Sequence, residues 1–140
     1  MYLYALKLLR TKDYSVSVLR QKIENKFGSA PEELIQQLLN KRFLNDRRFA
    51  QNYVDNRKDR GRALIREELL ANGIAADLVD DVVSKTDWPS LRQAVTAKMN
   101  GWKLRAPLQS RDAARLFRAL LRLGYEEDAI REEIENLHEQ

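Results

Sequence analysis

Four arginines near the C-terminal end form the most regular charged pattern in the sequence. They follow one another at intervals of 4, 3 and 4 residues, which places their side chains on one face of an α-helix. Like charges at this spacing destabilise a helix by roughly a few tenths of a kcal/mol per pair unless an anion neutralises them. The pattern therefore predicts a surface that binds phosphates or carboxylates, formed by Arg111, Arg115, Arg118 and Arg122.

An acidic segment directly after these arginines offers a different explanation. If the two segments fold as neighbouring helices, the acids can neutralise the arginines within the chain, and no partner is needed. The sequence leaves both explanations open. The acids concerned are Glu126, Glu127, Glu132, Glu133 and Glu135.

A second basic segment covers residues 57–62, which read Arg-Lys-Asp-Arg-Gly-Arg. Such a segment predicts an exposed turn, and exposed basic turns suit contacts with phosphates or with acidic loops. The alternative is a turn that is merely solvated. The candidate binding residues are Arg57, Lys58, Arg60 and Arg62, together with Arg47 and Arg48 on the preceding helix.

Trp102 lies in a predicted loop that also carries Lys103 and Arg105. An indole ring in a basic loop can stack on a nucleic-acid base. The more ordinary role is to cover the gap between two helices. Lys103 and Arg105 are further candidate binding residues, and Trp102 is the candidate for base stacking.

The net charge of +4 conceals a strongly uneven distribution. Residues 41–66 contain nine Lys or Arg against three acids, and residues 91–122 contain eight against one. Residues 126–140 reverse the sign, with seven acids against one arginine. Two basic blocks on a chain of 140 residues favour a polyanionic partner, DNA or RNA among them.

Catalytic chemistry finds no support in the sequence. There is no cysteine and only one histidine, His138, which excludes disulfides and the usual zinc sites. No glycine-rich phosphate loop or nucleophile motif occurs. We expect no catalytic residue, metal, cofactor or small-molecule substrate. The apolar residues 1–9 predict an amphipathic first helix rather than a signal peptide or membrane span, and we expect a cytoplasmic protein.

Helical spacing of apolar residues runs through the whole chain, which predicts an all-α protein. Val16, Leu19, Ile23 and Phe27 are an example, at intervals of 3, 4 and 4 residues. A helix N-cap is expected at residues 13–15. We expect another cap at Asn45-Asp46, with Asp46 as the N-cap residue, which stabilises the following helix by about 1 kcal/mol.

The helices recur in a pattern that indicates repeats. Residues 65–74 align without gaps on residues 116–125, and residues 19–28 match the same motif upstream after a small insertion. Gly73 and Gly124 occupy equivalent helix ends, where a positive φ is expected. Periods near 50 residues are typical of helical-repeat proteins. We predict three tandem three-helix repeats, at 1–43, 44–86 and 87–140, forming an elongated, curved array.

The middle repeat resembles the signature of the RecX family. The resemblance extends to both flanks, from residues 5–9 to residues 127–130, so it covers nearly the whole chain. The residues that carry it are 43–50, Tyr53, Arg57, Gly61, 65–69, Gly73 and Ile74. Most of them lie on apolar helix faces or at helix ends, so we expect them to specify architecture rather than contacts.

The resemblance implies a non-enzymatic regulator that binds the filament of the RecA recombinase on single- or double-stranded DNA. Such proteins inhibit ATP hydrolysis and strand exchange. Two departures concern nucleic-acid affinity: Leu64 stands where relatives often have a basic residue, and the usual N-terminal extension is missing. Two alternatives stay open, a sequence-nonspecific DNA- or RNA-binding module and a helical adaptor for an unrelated protein.

Overall fold

The computed structural model describes residues 1–138, and this part of the chain is helical without any strand. The all-α prediction is therefore confirmed. A single turn of 3-10 helix covers Lys58–Arg60. The α-helices are α1 (Tyr2–Thr11), α2 (Val16–Phe27), α3 (Glu32–Asn40), α4 (Asp46–Asp55), α5 (Arg62–Ala71), α6 (Ala76–Lys85), α7 (Leu91–Gly101), α8 (Ser110–Arg122) and α9 (Glu127–His138).

The chain packs into two compact units. The first contains residues 1–56 and 66–86, and the second contains residues 57–65 and the chain from Asp87 onward. Each is therefore assembled from segments that are separated in the sequence. The boundaries of the three predicted repeats stay a prediction.

Helices α1–α3 surround one apolar cluster in the first unit. Leu19, Ile23, Ile35 and Leu38 are fully buried there, at the spacing that made α2 and α3 recognisable as amphipathic helices. Burial of each such side chain contributes about 1.5–3 kcal/mol, far more than the intrinsic helix propensity of any residue in these helices. Packing of these faces is therefore what stabilises the three helices.

The N-cap of α4 is Asn45, and our expectation that Asp46 has this role is wrong. Asn45 has an extended backbone, with φ −162° and ψ 105°, and its side-chain oxygen accepts the N–H of Arg48 at 3.0 Å. Asp46 is already the first residue of the helix. Its carboxylate accepts the N–H of Val16 at 2.9 Å, at the first residue of α2. Asp46 therefore caps another helix, and this contact joins the first two predicted repeats.

Ser15 makes the second connection within the first unit. It is fully buried, caps α2 by accepting the N–H of Val18, and donates its hydroxyl to the carbonyl of Asn72 at 2.6 Å. The chain leaves α5 through Gly73, with a φ of +78°. A Cβ atom on Gly73 would lie 2.3 Å from the Cβ of Ser17. The start of α2 and the end of α5 therefore approach each other as closely as a glycine permits.

The second unit is built around α7, α8 and α9. Their buried cluster includes Leu116, Leu120 and Ile130, with Trp102 and Leu123 packed against it. Ser90 and Gln93 form a capping box that opens α7. Gly61, with φ +89°, lies against the end of α8, because a Cβ on it would approach the Cα and O atoms of Leu123 to 3.0 Å.

Gly73→Ala should destabilise the protein more than Gly28→Ala. Both glycines have a positive φ, which costs an alanine about 1 kcal/mol, but only at Gly73 does the new methyl group overlap a neighbour. We expect a loss of about 2–4 kcal/mol in the free energy of unfolding at Gly73 and about 1 kcal/mol at Gly28. Urea unfolding followed by circular dichroism measures both.

The added variant Ser17→Gly separates the two causes. It removes the atoms that the new methyl group meets, so it should recover part of the loss in Gly73→Ala and none in Gly28→Ala. Equal losses at the two glycines would contradict the close approach of α2 and α5.

Candidate interaction surface

The arginine row of α8 is exposed along its whole length. Leu116 and Leu120 are fully buried on the other side of the helix. Because these leucines fix the rotation of α8 about its axis, the basic side chains are turned to solvent. All four residues of the row are exposed: Arg111, Arg115, Arg118 and Arg122.

The acidic helix α9 does not neutralise this row. Its Glu133 pairs with Arg92 of α7 at 3.5 Å, and Glu127 pairs with Arg131 on α9 itself. Within residues 1–138, none of the row's four arginines forms an ion pair with an acid. The repulsion along the row is thus left without a carboxylate to relieve it in this part of the chain, which supports an external anion.

Arg115 has an aromatic neighbour in place of an acid. The central carbon of its guanidinium lies 3.8 Å from the centre of the Trp102 ring, and the amine of Lys98 lies 5.7 Å from the same centre. Trp102 ends α7 and packs on the cluster of α7–α9, as a tryptophan that covers an interhelical gap does. Its predicted stacking on a base stays a prediction, and one face of the ring already carries Arg115.

The structure places the basic turn beside the arginine row. Gly61 contacts the backbone of Leu123, the residue that follows Arg122 in the chain. Arg62, which follows Gly61, is exposed, and the central carbon of its guanidinium lies 5.5 Å from the centre of the Trp88 ring. We call the turn 57–62 together with the four arginines of α8 the basic surface.

The remaining side chains of the turn differ in exposure. Arg60 is exposed, whereas Arg57 and Lys58 are half-buried. Lys103 and Arg105 are exposed in the loop after α7, where Lys103 adopts a positive φ of 57°. The loop residues are therefore accessible, as a binding role requires.

Tyr125, which follows α8, is hydrogen-bonded to the segment before α7. Its hydroxyl donates to the carbonyl of Pro89 at 2.6 Å. Burial raises the pKa of this phenol, and the nearby positive charge of Arg62 acts in the opposite direction. Tyr125 therefore stays neutral at physiological pH and acts as a hydrogen-bond donor.

Arg47 and Arg48 lie in the first unit, where both have partners within the protein. Arg47 pairs with Asp81 at 2.8 Å, and this hydrogen bond, with a second from Lys85, lowers the pKa of Asp81. Arg48 donates to the carbonyls of Arg42 and Phe43 in the turn before α4. Their predicted binding role stays a prediction.

Arg66 and Asp80 form a similar pair that the sequence did not indicate. Their side chains meet at 2.8 Å between α5 and α6. The hydrogen bond lowers the pKa of Asp80 and raises that of Arg66. Positions 14 residues apart on different helices show no pairing signal in a single sequence.

Residues 1–138 contain neither a cluster of potential metal ligands nor a helix suited to spanning a membrane. No group of three or more His, Cys, Asp or Glu residues there is placed to hold a metal ion. None of the helices in the same range has the length and apolar character needed to cross a membrane.

The comparisons with known proteins point to one family. Residues 45–83 match the second three-helix domain of RecX. The regulatory protein RecX of Trichlorobacter lovleyi is 31% identical over 141 residues, covering 94% of this chain and 91% of that protein. The chain belongs to the RecX family. The regulatory protein RecX of Leptothrix cholodnii is 31% identical, and the match covers 91% of this chain. The regulatory protein RecX of Thermus thermophilus is 39% identical over 82 residues.

A solved structure supports the fold of this RecX-family chain. The crystal structure of a regulatory protein RecX is similar with a TM-score of 0.65 and covers 96% of this chain and 70% of that one. The sequences are 18% identical, so the likeness concerns the fold. The resemblance identified from the sequence is confirmed.

The family signature lies largely in buried positions. Ala50, Val54, Ile65 and Leu69 are fully inaccessible to solvent. Since buried apolar residues specify packing, they identify the family without forming a contact surface. The exposed charges are therefore better candidates for a contact surface than the signature residues are.

We expect Trp102 and Arg115 to be energetically coupled. A double-mutant cycle with Trp102→Leu and Arg115→Ala should give a coupling of about 0.5–1 kcal/mol in the free energy of unfolding, the usual value of an exposed cation–π contact. Urea unfolding of the single and double variants provides the measurement. Arg118→Ala is the matched control, because Arg118 has no ring contact within residues 1–138. The contact is refuted if both arginines give the same coupling.

Proposed function

We propose that this RecX-family chain is a non-enzymatic regulator that binds the RecA filament and inhibits its ATP hydrolysis and strand exchange. Membership of a family of regulatory proteins supports this proposal. The observation that carries it is the row of four arginines on α8, which the acids of α9 leave unneutralised within residues 1–138. Such a surface is suited to a polyanionic assembly, and a filament of protein on DNA supplies both carboxylates and phosphates.

The basic surface supplies two contributions to binding. Its charge attracts a polyanion over about 8–10 Å at physiological salt and accelerates the encounter. Guanidinium groups then form paired hydrogen bonds with phosphate or carboxylate oxygens. Because the arginines lie on a packed helix and not on a mobile loop, they are held in position before the partner arrives.

Inhibition requires no chemistry by the chain itself. A protein that binds one conformation of the filament shifts the population towards that conformation and slows the cycle of ATP hydrolysis. The proposed cytoplasmic location follows from the location of such a partner. Direct binding to single- or double-stranded DNA through phosphates belongs to the same proposal.

The variant Arg115→Ala/Arg118→Ala/Arg122→Ala tests the proposal. We expect it to weaken inhibition of DNA-dependent ATP hydrolysis by RecA at least tenfold in the concentration required, because three charge-assisted contacts are lost. On bare DNA, the slope of log affinity against log salt should become shallower by up to about 3, since each lost phosphate contact removes about 0.7–0.9. Helicity should be retained, because all three side chains are exposed.

The matched control removes three arginines that already have acidic partners within the chain. Arg20 pairs with Glu32, Arg66 with Asp80, and Arg131 with Glu127. The variant Arg20→Ala/Arg66→Ala/Arg131→Ala has the same loss of net charge and should inhibit as the wild type does.

Three outcomes overturn parts of the proposal. If the wild type binds DNA without affecting ATP hydrolysis by RecA, the chain is a nucleic-acid-binding module. If it does neither, it is an adaptor for another protein. If it inhibits but the α8 variant inhibits equally well, the contact lies elsewhere, first in the turn 57–62.

A further inference from the structure

Two exposed leucines border the basic surface. Leu64 is 46% exposed and Leu121 is 43% exposed, although both belong to helices that bury other leucines and isoleucines. Isolated exposed leucines are common on protein surfaces and need no explanation. These two are unusual in their location, because both lie in the second unit at the point where the turn meets α8.

The contact between Gly61 and Leu123 defines that location. Leu64 is three residues after Gly61 in the chain, and Leu121 is two residues before Leu123. At a rise of about 1.5 Å per helical residue, each leucine is within one turn of the contact. Both leucines therefore lie at the end of the basic surface where the turn meets the C-terminal end of α8.

Leu121 also lies at the edge of the arginine row. It stands between Arg118 and Arg122 in the chain, rotated by about 60–100° from them around the helix. Ala114, seven residues earlier, is exposed on the same edge. An apolar edge thus accompanies the arginines of α8. On α5, Leu64 is followed by Arg66, which is paired with Asp80, and then by Glu67 and Glu68.

Phosphates explain the arginines but not the leucines. Contacts with a nucleic-acid backbone are made by charged and polar groups. Protein interfaces, in contrast, combine apolar side chains with arginine. The arginine row spans about 16 Å, the length of three turns of a partner helix.

We infer that the basic surface binds an acidic amphipathic helical segment of a protein, whose carboxylates meet the α8 arginines and whose apolar side chains cover Leu64 and Leu121. The inference rests on the proposed function in treating this surface as the one that binds. It adds that a protein segment of the filament, and not the DNA, covers the part of the basic surface beside Leu64 and Leu121.

The test compares two labelled peptides of 15 residues by fluorescence anisotropy. Both carry six glutamates. One has leucines at helical 3- and 4-residue spacing, and in the other each leucine is replaced by serine. We expect the wild type to prefer the leucine peptide about tenfold, the effect of partly burying one or two leucines.

Leu64→Ser/Leu121→Ser should abolish this preference while the affinity for the serine peptide is retained. The control is Leu3→Ser, which removes a leucine that is 80% exposed in the first unit and should leave the preference unchanged. The variant Arg118→Ala/Arg122→Ala should weaken the binding of both peptides by the same factor. Unchanged thermal unfolding curves verify that the variants fold.

Several results overturn the inference. One is that the wild type binds the leucine and serine peptides equally well. Another is that Leu64→Ser/Leu121→Ser still prefers the leucine peptide. An equal loss of bare-DNA affinity in that variant assigns the leucines to nucleic-acid binding. Self-association in sedimentation that the leucine variant abolishes assigns them to a second copy of the chain.

The RecA assay distinguishes this inference from the proposed function. We expect Leu64→Ser/Leu121→Ser to lose inhibition of ATP hydrolysis while its binding to bare DNA is unchanged. If the wild type itself does not inhibit, the proposed function fails, and the peptide preference still decides the inference.

Discussion

The burial of two leucines, Leu116 and Leu120, is the constraint on which the candidate site depends. Both are fully inaccessible, in the cluster that α8 shares with α7 and α9. Any rotation of α8 that brought its arginines inward would expose these leucines and bury charges without partners. Either change costs several kcal/mol, so the helix has one acceptable orientation. The apolar side of α8 thus determines where its charges are presented.

A different kind of contact organises the first unit. Ser15 and Asp46 satisfy backbone groups that their own helices leave open, but each does so across elements distant in the chain. Helix ends have unpaired N–H and C=O groups that must find partners when buried. Here the partners come from neighbouring helices, so capping and tertiary packing are the same interaction. Gly73 permits it, because no side chain fits between α5 and Ser17.

The contrast between Arg47 and Arg118 shows why charge alone does not define a site. In the sequence both are arginines in basic segments. In the structure Arg47 is bound by Asp81, whereas Arg118 has no acidic partner within residues 1–138. A basic side chain that already has a carboxylate offers less attraction to a partner. The basic surface is therefore narrower than the count of lysines and arginines indicated, and it is concentrated in the second unit.

The sequence by itself determined the all-α class, the approximate helices, the glycines of positive φ at Gly73 and Gly124, and the arginine face of α8. These follow from local rules, since a helix repeats every 3.6 residues and only glycine readily takes a positive φ. Only the tertiary structure decided that Asn45 caps α4 while Asp46 caps α2, that α9 pairs with α7 and itself, and that the turn 57–62 meets the end of α8. Each of these is a choice among chemically equivalent partners far apart in the chain. Spacing within one segment cannot make that choice, because it depends on how separate apolar faces pack together.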